Sequence, residues 1–117
     1  MVETKVTPLY VKTVAKKFDF NTIFYMELCN KKIHAVGAIS ECKNLITLDL
    51  SRNNLTSLAG LDSCIDLKFL NLSYNKITSI TILEKIPKLN KLELQGNKIQ
   101  DFKSFPSNLK DLTIIYL

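Results

Sequence analysis

The side chains of this chain best suited to act as general base, nucleophile or soft metal ligand are one histidine, His34, and three cysteines, Cys29, Cys42 and Cys64. Catalysis built on them would need a nucleophile within reach of its base, and a metal site would need several ligands at recurring spacing. Neither pattern occurs. No phosphate-cradling G-x-x-x-x-G-K-(S/T) or dinucleotide G-x-G-x-x-G is present, and "QGNK" at 95–98 lacks both the upstream glycine and the terminal hydroxyl. "DLSRN" and "NLSYN" look like pieces of a calcium loop, but their leucines belong to an apolar pattern described below. The sequons at Asn54 and Asn71 arise from that same pattern and matter only in a secreted protein. The expectation is a non-enzyme with no catalytic residue, no cofactor and no metal.

Composition fits one globular domain. The 117 residues are 46% hydrophobic and 23% charged, with a net charge of +5. No apolar run approaches the ~20 residues of a membrane span, and "MVETKVTPLY" does not read as a signal peptide. Three cysteines cannot all pair within one chain. They are expected as thiols in a reducing compartment, which makes the cytoplasm the expected location.

The pattern that absorbs the leucines is a repeat. "LITLDLSRNNL" from Leu45, "LKFLNLSYNKI" from Leu67 and "LNKLELQGNKI" from Leu89 share L-x-x-L-x-L-x-x-N-x-(L/I) at an interval of 22 residues. One interval earlier, "IFYMELCNKKI" fits at Ile23, Met26, Leu28 and Ile33, with Lys31 in the asparagine slot. "LKDLTIIYL" from Leu109 is a fifth copy, two residues early. Between copies, Val36, Ile39 and Cys42, then Leu58, Leu61 and Cys64, then Ile80, Leu83 and Ile86 recur at spacings of three; Phe102 and Phe105 follow. Cys42 and Cys64 thus occupy the slot of Ile86 and read as small buried hydrophobes.

These motifs resemble the leucine-rich repeat. The 22-residue form is similar to the subfamily that includes the nuclear regulatory subunit of protein phosphatase 1, an outer-arm axonemal dynein light chain, the A-prime protein of the U2 ribonucleoprotein and the acidic nuclear phosphoproteins. The Thr7-Pro8 start, the Phe18 to Ile23 run and "ISECKNLITLDLSRNNLT" look most like the family of leucine-rich repeat-containing protein 61. The resemblance implies phosphatase, ciliary or nuclear complexes as settings, so cilium, axoneme and nucleus join the cytoplasm as candidate locations.

The expected fold class is α/β: a leucine-rich repeat solenoid, a right-handed parallel β coil of about five repeats, with short strands on a concave face and a helical cap at the N-terminus. Residues 1–22 form the cap and 23–117 the repeats, starting near 23, 45, 67, 89 and 109. Thr7 suits an N-cap and Pro8 the first helical position, and Val11, Val14, Ala15 and Phe18 share one face at helical spacing. That face is expected to cover repeat one rather than lie on a membrane, and no membrane partner is expected. Asn53, Asn75 and Asn97 are expected as an inward ladder bonding the backbone of each bend. At the other end "LTIIYL" reads as an uncapped apolar strand, with a C-terminal cap absent or truncated. Residues 112–117 are therefore a candidate edge-strand contact.

In x-L-x-L-x strands the leucines face inward and the residues between them outward. Outward positions are Tyr25, Glu27 and Cys29; Thr47, Asp49 and Ser51; Phe69, Asn71 and Ser73; Lys91, Glu93 and Gln95; then Asp111, Thr113 and Ile115. Tyr25, Glu27, Thr47, Asp49, Phe69, Asn71, Lys91 and Glu93 are the candidate partner-binding residues: aromatic anchors beside an acidic column Glu27, Asp49, Asn71, Glu93, Thr113. The lysines crowd elsewhere, with Lys5, Lys12, Lys16, Lys17, Lys31 and Lys32 toward the N-terminus and Lys32, Lys76 and Lys98 at one position after the bend. A basic flank without stacking aromatics argues against nucleic acid as the main partner. The expected function is protein binding by a scaffold or adaptor; the alternative is a ribonucleoprotein subunit touching RNA through that flank.

Overall fold

The computed structural model describes residues 3–100 and, as backbone, the strand at 113–115. Five three-residue strands, β1 (Tyr25–Glu27), β2 (Thr47–Asp49), β3 (Phe69–Asn71), β4 (Lys91–Glu93) and β5 (Thr113–Ile115), form one sheet in sequence order, every neighbouring pair parallel. The register follows the repeat: Met26, Leu48, Leu70 and Leu92 stand side by side, with Ile114 last. Parallel strands need a crossover, and 22 residues is enough for one turn of solenoid.

The return path explains the spacing of three. It contains 3-10 turns at Gly37–Glu41, Leu61–Ser63 and Thr81–Lys85. Three residues make one turn of such a helix, so residues three apart share a face. Val36, Ile39 and Cys42 and their counterparts in the next two coils are all buried there. Against them pack the inward strand residues, including Leu45, Leu48 and Leu50, and the layers merge into one apolar core running the length of the described repeats.

One register differs from the sequence reading. Thr113 lies opposite Lys91 and Ile115 opposite Glu93, so β5 keeps the 22-residue interval instead of starting two residues early at Leu109, and the central column ends on Ile115 rather than Thr113. Side chains alternate with a period of two, so a slip of two preserves the inward set and the leucine pattern alone cannot detect it. Residues 101–112, 116 and 117 lie outside the described residues, and with them Phe102, Phe105, Asp111 and half of the proposed edge strand at 112–117.

The N-terminal end is covered by α1 (Pro8–Ala15). The Thr7 hydroxyl accepts from the Tyr10 amide at 3.1 Å, and Lys16 ends the helix in a left-handed conformation. α1 packs on the 3-10 turn of repeat one, with Val11 fully buried. The expected apolar face is narrower than its spacing suggested: Ala15 is half-buried, Val14 is exposed, and Phe18 is 97% exposed. The helix ends before Phe18, so helical spacing no longer decides where that ring points. Upstream, the chain adds a second element of cover. Thr4 bridges to Ile33, its amide donating to Lys32 O at 3.0 Å, and the Ala38 amide donates to Val6 O at 2.8 Å.

Candidate functional site

The ladder of asparagines sets the bends that aim the strands. Asn53 Oδ1 accepts from the amides of Lys31 (2.9 Å) and Ile33 (3.0 Å), while its Nδ2 donates to Leu28 O and Leu50 O, both at 2.9 Å. Asn75 Oδ1 accepts from Leu55 N, and its amide donates to Leu50 O and Leu72 O. Asn97 repeats the arrangement with Ile77 N, Leu72 O and Leu94 O. Each asparagine therefore ties its own bend to the bend of the preceding coil. This accounts for Lys31: repeat one has no repeat before it, and its own bend is served by Asn53.

The next device was not anticipated. Asn30, Arg52, Tyr74 and Gly96, spaced by 22, all take a positive φ at the bend, between 57° and 76°. Arg52 stacks on the Tyr74 ring at 4.4 Å, and Tyr74 lies so close over Gly96 that a Cβ there would come within 2.4 Å of the ring. Glycine thus meets both the backbone angle and the approach of the ring.

On the concave face, parallel pairing places Tyr25, Thr47, Phe69 and Lys91 in one row and Glu27, Asp49, Asn71 and Glu93 in the next. Tyr25 is 60% and Phe69 43% exposed. A shallow depression of about 240 Å³ is lined by Tyr25, Thr47, Asp49, Phe69, Lys91 and Glu93, with Leu48 and Leu70 also lining it. Seven of the eight candidate residues, Asn71 among them, line this one surface; Glu27 joins through Tyr25, whose hydroxyl donates to Glu27 Oε2 at 2.9 Å. That bond, and the negative charge behind it, raise the Tyr25 pKa.

The acidic column is less uniform than its residue types suggest. Asp49 Oδ1 accepts from Ser51 N at 2.8 Å, and Asn71 Oδ1 accepts from both the amide (3.0 Å) and the hydroxyl (2.7 Å) of Ser73. These side chains close Asx turns where the strand enters the bend, and the recurrence of Asp/Asn-x-Ser at 49–51 and 71–73 was the available signal. Ser51 and Ser73 are buried as a result, whereas Cys29 at the same position is half-buried.

The remaining reactive types lie apart from this arrangement. His34 Nδ1 stands 3.1 Å from Glu3 Oε2, both exposed. Cys42 and Cys64 are buried free thiols, their pKa values pushed up to about 11 and about 12 chiefly by desolvation. Lys31, Lys32, Lys76 and Lys98 are exposed along the bend. Among the described residues, no helix is long and apolar enough to cross a membrane.

No curated protein matches the chain. Among solved structures, an internalin of Listeria monocytogenes superposes with a TM-score of 0.82 at 23% identity, over 92% of this chain and 34% of that one. A leucine-rich repeat protein of Leptospira interrogans gives 0.70 at 25%, over 96% and 28%. The functional domain of the Listeria protein InlJ, described as including a cysteine ladder, gives 0.63 at 28%, over 79% and 20%. The chain thus spans about a third or less of each of these structures. The family profile described as leucine-rich repeats in two copies matches residues 43–85 and again 65–107, which together exceed half of the sequence. With one parallel sheet, stacked 3-10 turns and an asparagine at each matched bend, the chain belongs to the leucine-rich repeat family.

Proposed function

We propose that this chain is a non-catalytic protein-binding module whose partner lies across the concave face at Tyr25, Glu27, Thr47, Asp49, Phe69, Asn71, Lys91 and Glu93. Leucine-rich repeat domains generally act as protein interaction modules, which supports the class. The observation that carries the site is the pair of exposed rings, Tyr25 and Phe69, standing over one depression in a sheet whose inward faces are otherwise sealed. Rings held by short paired strands offer apolar area at small entropic cost, and Glu27, Asp49 and Glu93 favour a basic segment.

The finer placement belongs to the same proposal: an adaptor of the 22-residue subfamily, in the cytoplasm or in a ciliary or nuclear complex. Free Cys29, Cys42 and Cys64 fit a reducing compartment. Cys42 and Cys64 fill one slot in successive coils, a structural role in keeping with the cysteine ladder of InlJ. The RNA alternative has less support. The bend does carry a partly exposed aromatic beside its lysines, Tyr74, but Arg52 stacks on the ring and Gly96 packs against it, which leaves less of its face for a stacking base.

The test is recovery of partners from lysate by the wild-type chain and by Tyr25→Ala/Phe69→Ala, with Glu93→Gln added in a third form. Asp49 is left intact because it bonds Ser51. A protein retained by the wild type and lost from the variants at unchanged melting temperature is expected. Equal recovery rejects the concave face, and capture of RNA that weakens steeply with salt would favour the lysine flank.

A further inference from the structure

α1 uses only part of its surface as a cap. Val11 enters the core, but Leu9 is 75% exposed and Phe18 97%. The left-handed Lys16 turns the chain so that Phe18 comes alongside the helix, and Leu9 and Phe18 line one open depression of about 380 Å³ with Lys12, Thr13, Lys16 and Lys17. No carboxylate lines it. The nearest in sequence, Asp19, accepts from the Asn21 amide at 2.9 Å.

We propose that this patch docks the chain on an anionic lipid bilayer, independently of the concave face. Both apolar side chains stand largely in solvent at the margin of this open depression, and the lysines line it beside them. A deep-walled cleft that buries its apolar lining would suit an acidic peptide; an open site whose apolar side chains stay mostly in solvent beside lysines suits a soft planar anionic interface. There the Leu9 and Phe18 side chains enter the acyl boundary while the lysine stems reach back to the phosphates. Lys12 is partly held over the Phe20 ring at 4.8 Å, so Lys16 and Lys17 are the cations most available to headgroups.

The experiment is co-sedimentation of the full chain with phosphatidylcholine vesicles, with and without a minor share of phosphatidylserine. Binding to the anionic vesicles alone, weakening with salt, is expected. Lys16→Gln/Lys17→Gln lowers partitioning roughly 30-fold, at about a fivefold contribution per surface lysine. Leu9→Ala/Phe18→Ala abolishes it at unchanged melting temperature, since both side chains are exposed. Phe18→Ala alone, at a site with almost no native contact, weakens it as well. No binding to anionic vesicles, equal binding to neutral ones, or binding that survives these variants overturns the proposal. An acidic protein captured through the same residues without vesicle binding overturns it too and reassigns the patch to protein.

Discussion

Asn75 receives the Leu55 amide and donates to Leu50 O and Leu72 O, all in the buried bend. Asn75→Leu would leave those groups unpaired, a loss of about 3 kcal/mol, measurable by denaturant titration; an unchanged melting temperature would reject it. At Gly96 the penalty has two parts. A Cβ there takes on a φ of 76° and meets the Tyr74 ring, so Gly96→Ala should cost about 2 kcal/mol. In a double-mutant cycle Tyr74→Ala should relieve the steric part and leave the angular part. The buried thiols make a pH prediction. Cys42 and Cys64 stay neutral in the fold up to about 11 and about 12, against an ordinary value of 9.0. Both states are protonated below 9.0, so that stability is fully present there. It is lost as pH climbs from 9.0 through the folded values, because the unfolded thiols ionise first. Cys42→Val/Cys64→Val should flatten the alkaline fall in denaturant midpoint, and an equally steep fall would assign it to other groups.

At the scale of elements, three-residue strands have too few ladder bonds to persist alone, so position in the stack sets their stability. α1 shows the same dependence. It has eight residues, too short to be stable in isolation, and is held by its Thr7 cap and by Val11 against the 3-10 turn at Gly37–Glu41. Val11→Ala should therefore cost about 2 kcal/mol, and Val14→Ala, at an exposed position of the same helix, under about 0.5 kcal/mol. Equal losses in thermal melts would mean that the helix does not dock as described. The concave strands separate stability from recognition in a similar way: Leu48 and Leu70 hold the sheet, while Tyr25 and Phe69 face outward and can be removed at little cost.

The whole molecule behaves as a stack whose neighbours share bonds at a fixed offset. Deleting residues 45–66 removes one full period, brings Leu67 into the place of Leu45, and lets Asn75 serve the first bend as Asn53 does now. The shortened chain should still melt cooperatively, at a lower temperature, whereas deleting 45–55 should unfold it, because half a coil leaves core slots facing the wrong side. Circular dichroism of the two decides this; identical unfolding of both would show that the repeats are not interchangeable units.

The sequence by itself determined the coil. A 22-residue period with leucines alternating at the strand admits one inward face, because burial of each repeat is a local periodic property; that the return path runs through 3-10 turns was decided by the fold. The sequence also marked the outward residues that now line one surface. Tertiary structure decided what depends on contacts between coils or beyond a helix end. The β5 register was hidden because a slip of two leaves the apolar pattern intact. The way each asparagine reaches back one coil is set by hydrogen bonds that spacing does not display, and the second duty of Asp49 and Asn71, signalled only by the recurring Asp/Asn-x-Ser, became definite with the bonds to Ser51 and Ser73. Phe18 looked like a core residue by helical spacing, but α1 stops at Ala15, and past the left-handed turn at Lys16 the chain geometry, not the period, decides that its ring stands in solvent.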